Sequence, residues 1–457
     1  MTVRNDTAAE RFAQFAVAMR YEDIPEAAIN WAKQGIIDTI GVALAGTTLP
    51  DLSGALLEYA KSAPGSVRVM GSRGSRCTPE VAALVAGTLA HALDFDDVGF
   101  AMWAHPSAPL TAVMLAMGDS MSVTGAEALE AYVIGYEVEA AIGKVCAADH
   151  FTKGWHTTAT IGTIGAAAAA ARLRRLDVEA TTHALAIASS MAAGVQANIG
   201  SMTKPLHAGL AAHNGLIAAG LAAAGVRGSL TAIDGEKGFI AVFGSGGISP
   251  FLDLADLGRR FDLADIGLGF KIYPSCAGTH RVLDGVLDIV EGEDIKPEEV
   301  SRVVCDVSKR SLIPLVHQRP RTALEAKFSL EYAAAIAITD RRAGINQYSD
   351  ARVSEPDARQ LLEHIEVRVH PEQTEGGTIE TEFAEVTIET HDGRRFHRRI
   401  DVPRGFPELP LESTELEGKF RETAGHYLGA DDIEKLLEKL RRLEEASSLD
   451  DVIGLVS

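Results

Sequence analysis

The sequence predicts a mainly α protein with a smaller α+β part. Three observations carry that expectation. Residues 8 to about 265 form a succession of Ala- and Gly-rich segments with apolar positions near a 3.6-residue spacing. From about 270 the texture changes to short runs of period-2 alternation separated by helical stretches. After the Pro-rich connector "GFPELPLE" the pattern returns to helix. The expected organisation is a large all-helical domain, residues 1–269 and 406–457, into which an α+β domain, residues 270–405, is inserted. A chain of 457 residues has room for both.

Taken in order, "IPEAAINWAKQGIIDTIGVALAG" places Ala28, Trp31, Ala32, Ile36 and Ile40 on one helix face and closes at Gly46. "TGAEALEAYVIGYEVEAAIGKVC" starts a second such helix behind Thr124, a capping residue type. The run "AAAAAA" near 166–171, "DVEATTHALAIASSMAAG" and "HAGLAAHNGLIAAGLAAAG" read as packed helices. In the later part, "VSRVVCDVSK", "IEVRVHPE" and "AEVTIETHDGRRFHRRIDVP" alternate β-branched and polar residues. Asp392-Gly393 marks a hairpin in the third run. "THRVLDGVLDIVEG" and "FSLEYAAAIAITDRRAG" are helices between the strands. The tail "DDIEKLLEKLRRLEEASSLDDVIGLV" is helical and is expected to pack back on the first body.

Composition narrows the function. A net charge of −20 argues against nucleic acid or an anionic membrane as the main partner. It leaves room for an anionic small molecule held by a local cluster of Lys and His. Cys77, Cys146, Cys276 and Cys305 stand far apart with no CxxC pair, so no zinc or iron–sulfur spacing is present. The segment "MTVRNDTAAERFAQF" carries charges where a signal peptide needs an apolar core. No apolar run reads as a membrane span. A cytoplasmic protein with reduced thiols is expected. "FGSGGISPF" and "GSRGSR" are Gly-rich but lack the strand–turn–helix setting of a nucleotide site, and both read as loops.

Five segments carry side chains suited to acid–base chemistry. In "HALDFDDVGFAMWAHPSAP", His91 and Asp94 share a face if the helix lasts that far. Asp96 and Asp97 then oppose the helix dipole, and His105 lies in a loop. Either these groups line a cleft, or the aspartates are a solvated loop. In "KGWHTTATIG", His156 sits between Trp155 and a Thr-rich turn, as a site residue or a satisfied core histidine. In "SMTKPLHAGLAAHNG", Pro205 suits a first helical position. Lys204 then meets the positive end of a helix dipole unless an anion binds there or it points into solvent, and His207 is one turn on. In "KIYPSCAGTHRVLDG", Cys276 and His280 are four apart. Asp284, four further on, is placed to orient the imidazole. In "ALEAKFSLEYAAAIAI", Tyr332 beside Lys327 is either a core residue or a proton donor. Together these residues suit a di- or tricarboxylate deprotonated α to a carboxylate, with Lys and His stabilising the developing charge.

The same segments, "HALDFDD", "GWHTTATIGTIGAAAAAARL", "SMTKPLHAGLAAHNGLIAA", "KIYPSCAGTH" and "EAKFSLEYAAAIAI", resemble the MmgE/PrpD family in order and spacing over residues 8 to about 440. The family includes 2-methylcitrate dehydratase, cis-aconitate decarboxylase and iminodisuccinate epimerase. The resemblance implies a large all-helical domain with a smaller α+β lid, a homodimer, and chemistry that needs no metal or organic cofactor. It places the active site on Asp94, His105, His156, Lys204, His280 and Tyr332. Lys204, His207, Lys271 and Cys276 are the candidates for binding substrate. It implies a lyase, a dehydratase or decarboxylase, acting on a small di- or tricarboxylate, with an amino-dicarboxylate epimerase as the alternative. A non-catalytic carboxylate-binding protein is the reading outside enzymes. The family's usual Thr after the acidic cluster is Val98 here.

Overall fold

The structure, a computed structural model, describes residues 6–244, 252–374 and 381–457. Most of the "FGSGGISPF" stretch and the first five residues lie outside the described residues. Helices occupy Ala8–Ala18, Glu26–Gly46, Pro79–His91, Ser107–Ser120, Gly125–Thr152, Thr157–Leu173, Val178–Met191 and Thr203–Ala223. Small side chains let these helices approach closely. A Cβ on Gly209 would stand 2.2 Å from the Leu84 carbonyl oxygen, so the helices Pro79–His91 and Thr203–Ala223 meet backbone to backbone. That contact brings the end of the first helix beside the start of the second, where Asp94 and Lys204 lie. Thr124 caps its helix through a reciprocal pair with Glu127: its hydroxyl accepts the Glu127 N–H and its own N–H donates to the Glu127 carboxylate. The alanines of 166–171 are fully buried.

Two large apolar cores separate along the chain. The first joins side chains from residues 8–270 with Leu416, Phe420, Leu436, Leu440, Val452 and Ile453 of the C-terminal helices. The second lies between 273 and 388, where Val282, Val286 and Ile289 of the helix His280–Gly292 and Ile336 of the helix Leu330–Asp340 pack with Val303, Cys305, Val386 and Ile388 of a sheet. That sheet runs in the order Ile365–Val369, Val300–Val307, Ala384–Thr390, Arg395–Ile400. The first pair is parallel and the others are antiparallel. Gly393 takes φ +87° in the turn joining the last two strands, a conformation that glycine adopts without steric cost. Among the described residues no single helix is long and apolar enough to cross a membrane.

Several local expectations are corrected. The helix that starts at Pro79 ends at His91, so His91 and Asp94 do not share a helix face. The helix carrying Lys204 starts at Thr203, whose N–H donates to the Ser201 hydroxyl at 3.2 Å. Pro205 is its third residue, where a missing N–H still costs no intrahelical bond. Within "GSRGSR", Arg76 and then Cys77 pair with Arg68 and Val67 in a two-residue ladder instead of a plain loop.

The helical body also holds Glu139, fully buried, with neither carboxylate oxygen hydrogen-bonded. Burial, with the nearby Asp97 charge, pushes its carboxyl well above the usual range. A carboxyl raised on folding contributes stability that is complete below about pH 4 and is lost as pH rises toward the folded value. Glu139→Gln removes this dependence. Thermal unfolding of both proteins between pH 5 and 8 is expected to show the variant gaining on the parent as pH rises. A constant gap across the range would mean that Glu139 does not stay protonated in the fold.

Candidate active site

The centre of the site is Asp94. It follows the helix end in a turn with φ +51°, its N–H donating to the His91 carbonyl at 3.3 Å. Aspartate tolerates this left-handed conformation better than most residues. The turn leaves the side chain 3% exposed. Its Oδ1 accepts from Lys204 Nζ at 2.5 Å and from Lys271 Nζ at 3.0 Å, and its carbonyl accepts from Lys271 as well. Burial alone would raise the Asp94 carboxyl. The two ammonium charges outweigh burial and hold it well below the usual range. Lys271 is buried too, which would lower its ammonium, but Asp94 and Asp96 raise it.

Each lysine is delivered by a different element. Lys204 stands in the first turn of its helix, with Nζ 4.7 Å from the Phe328 ring centroid. Lys271 follows a short extended stretch pinned on both sides: Gly269 pairs with Val98, and the Phe270 N–H donates to the Gly405 carbonyl at 2.7 Å. Gly405 sits at φ +87°, and a Cβ there would meet the Phe270 carbonyl oxygen at 2.1 Å. The pairing needs glycine.

Histidines form the second part. His105 donates from Nδ1 to the Asp97 carbonyl at 2.6 Å, which leaves Nε2 as its acceptor. His156 stands at the N-cap of the helix Thr157–Leu173, its Nδ1 3.0 Å from His207 Nδ1. Burial holds both His105 and His156 well below the ordinary imidazole range, helped by Lys271 at the first and Lys204 at the second. His207 is lowered to about 4, again chiefly by burial. His91, between these rings, bonds through Nδ1 to Asp96 at 2.8 Å. Burial would raise the Asp96 carboxyl, and His91 and His105 lower it below its usual range. The carboxylate that orients a histidine is therefore Asp96, whereas Asp94 serves the lysines. Asp97, raised by burial, accepts from the Ser107 hydroxyl, which also meets the Tyr132 hydroxyl.

These groups open on a cleft with about 140 Å³ of space accessible to water, between the helical body and the sheet-containing part. Asp94, His105, His156, Lys204, Lys271 and Cys276 line it. Burial and the Asp94 charge raise the Cys276 thiol, which disfavours the thiolate a nucleophile needs. His207 stands behind His156 instead of lining the cleft. His280 and Tyr332 also fall outside the lining. His280 is fully buried with Nε2 3.3 Å from the Ser275 carbonyl, and burial lowers it to about 3. Asp284 does not orient it: that carboxylate accepts from the Tyr273 hydroxyl and the Arg404 N–H. Nor do Cys276 and His280 share a helix face, because the helix begins at His280. The Tyr332 hydroxyl donates to the Gln347 carbonyl at 2.6 Å. The far wall carries residues that the sequence did not single out. Arg310 binds Glu382 through Nε at 2.8 Å and lies 4.5 Å from the Trp103 ring centroid, and Arg281 also reaches Glu382. Among the described residues, the groups placed to hold a metal ion are His91 with His105 and His156, and His91 with Asp94 and Asp96.

The arrangement can bind anionic groups at two ammoniums and exchange protons through neutral imidazoles. Comparison with known proteins identifies the family. The MmgE/PrpD N-terminal domain matches residues 10–250 and the MmgE/PrpD C-terminal domain matches residues 273–445. Cis-aconitate decarboxylase of Mus musculus is 30% identical over 458 residues, 96% of this chain and 92% of the relative. The Homo sapiens enzyme is 29% identical over 448 residues, 95% and 92% of the two chains, and that of Aspergillus terreus 26% over 458 residues, 94% and 92%. With both halves of the family matched along one chain, this protein belongs to the MmgE/PrpD family of enzymes.

Proposed function

We propose that the protein is a cofactor-independent lyase acting on a small di- or tricarboxylate, and that it works as a decarboxylase of the cis-aconitate type. The observation that supports this reading best is the Lys204–Asp94–Lys271 bridge on the wall of a cleft that also holds His105 and His156. Asp94 takes one bond from Lys204 and two from Lys271, at its carboxylate and its carbonyl, which leaves each ammonium at least one N–H for a substrate carboxylate. In the reaction, the bond to one carboxylate breaks and CO₂ leaves. Its electron pair shifts the neighbouring double bond and charges the conjugated carboxylate, and a proton adds at carbon. The lysines stabilise that charge where it develops. An imidazole supplies the proton. Asp96, 3.6 Å from His105 Nδ1, offsets the positive charge His105 carries while it holds that proton. The homodimer implied by the resemblance belongs to the proposal, and light scattering is expected to give twice the 48.5 kDa chain mass.

The discriminating experiment offers 2-methylcitrate, citrate, cis-aconitate and iminodisuccinate to the purified protein in D₂O and follows proton NMR. Loss of CO₂ from the unsaturated tricarboxylate, with one deuterium on the product's new saturated carbon, is expected. Deuterium uptake with no loss of CO₂ or water would make it an epimerase. Thermal stabilisation by an acid that is never turned over would make it a carboxylate-binding protein. On the acid that is turned over, Lys204→Met and His105→Gln are each expected to lower kcat/KM by about 10²- to 10³-fold. Near-parental rates in either folded variant would remove that residue from the mechanism.

A further inference from the structure

His91, His105 and His156 come from three separate segments, yet their rings cluster. The His91 centroid lies 4.5 Å from that of His105 and 5.6 Å from that of His156, and the last two are 6.5 Å apart. One ring nitrogen of each falls within 4.8 Å of one on each of the others. Each Nδ1 is engaged: His91 with the Asp96 carboxylate, His105 with the Asp97 carbonyl, His156 with His207. A ring whose Nδ1 donates keeps its lone pair on Nε2. On His91 that nitrogen is fully buried and has no hydrogen-bond partner. A buried polar atom left unpaired is costly, and nothing in the proposed chemistry uses His91.

An imidazole whose second nitrogen is fixed by a carboxylate or carbonyl, and which stays neutral, is the form that ligates a transition metal. Two such rings, His91 and His105, together with His156, whose Nδ1 is held by His207, stand beside an open cleft and match three nitrogen ligands and one exchangeable position. A tetrahedral ion with bonds of about 2.1 Å holds its donors about 3.4 Å apart, which small side-chain rotations reach from the observed spacing. Charge agrees as well. Asp94 and Asp96 together balance Lys204 and Lys271, so the neutral rings stand in a cluster with no surplus positive charge to repel an ion. Nitrogen donors select zinc-like ions over magnesium or calcium, which take oxygen. At His156 the ion requires Nδ1 to donate to His207 Nδ1, which makes His207 a positioning residue.

We propose that His91, His105 and His156 form a site for a divalent transition ion of the zinc type, and that the bound ion excludes the carboxylate substrate by occupying His105 and His156. The binding half stands on the geometry alone, and the exclusion half rests on the lyase reading above.

Equilibrium dialysis of the chelator-treated full chain against Zn²⁺, with Co²⁺ as the visible-absorption probe of a tetrahedral nitrogen site, tests the first half. One ion per chain is expected, with affinity falling at least tenfold in His91→Gln and, separately, in His105→Gln. His105 lies at the cleft edge, so its variant keeps the test valid if the His91 variant does not fold. No retained ion in the folded parent overturns the site, as does affinity unchanged in the folded variants. For the second half, Zn²⁺ is expected to raise the apparent KM of the acid turned over. Zinc that binds the three histidines and leaves turnover unchanged overturns the exclusion. Failure of the metal-free protein to turn over any acid counts against the lyase reading, and the dialysis result still decides the site.

Discussion

The bridge Lys204–Asp94–Lys271 is the constraint on which the rest of the site depends. Its three members are distant in sequence, and each is buried. A buried carboxylate or ammonium is tolerated only when its charge is met. Removing Asp94 leaves two buried ammoniums without the carboxylate they share, so the acidic loop and both lysine segments must come together for the cleft to exist. The bridge explains why a lysine stands at a helix N-terminus, where the dipole opposes it: Asp94 supplies the anion that the dipole alone would favour. It also explains the left-handed turn at Asp94, since the chain must reverse direction within three residues of His91 to present a carboxylate to both lysines.

Rigid packing holds that arrangement. The backbone contact at Gly209 fixes the relation of the helix ending at His91 to the one carrying Lys204. Lys271 is set by pairing of Gly269 with Val98 and of Phe270 with Gly405, so one strand-like stretch ties the acidic loop to the point where the chain returns to helix. The C-terminal helix Ser413–Ala424 adds a second buried charge pair, Lys419 with Asp38 at 2.6 Å. The same ammonium donates to the Phe95 carbonyl at 2.7 Å, inside the acidic loop itself. The loop is therefore fastened from the helical body, from the start of the sheet-containing part and from the C-terminal helices together.

Periodicity made the helices and the hairpin legible, because burial of one face imposes the same spacing on any sequence that forms them. The mismatch of Lys204 with its helix dipole was legible for the same reason: it breaks a local rule, and local rules are broken where something distant compensates. What escaped was pairing across long separations. Nothing around residue 310 or 382 marks Arg310 and Glu382 as partners on the cleft wall, since 72 residues separate them. His91 and Asp96 were visible as residue types, but a sequence cannot say which of three nearby aspartates a histidine will choose. The four-residue spacing of Cys276 and His280 misled because it presupposes a helix that starts only at His280, and that of His280 and Asp284 misled because the Asp284 carboxylate is taken by the Tyr273 hydroxyl and the Arg404 N–H.

The acidic loop shows how one short segment buries three carboxylates of the same sign without paying for three bare charges. Asp94 is ionised and neutralised by two lysines. Asp96 is ionised beside His91 and His105, whose rings can accept positive charge. Asp97 follows a third course: burial and the neighbouring Asp96 and Asp38 charges raise it, and the Ser107 hydroxyl and N–H serve it without bringing a cation. A second lysine or arginine there would be drawn to Asp96 and would compete with the imidazoles for it. Keeping Asp97 neutral leaves Asp96 to the histidines, and keeping both off the lysines leaves those for Asp94 and an incoming anion. The order of the three residues matters as much as their number, because exchanging the environments of Asp94 and Asp97 would place the strongest cations away from the cleft.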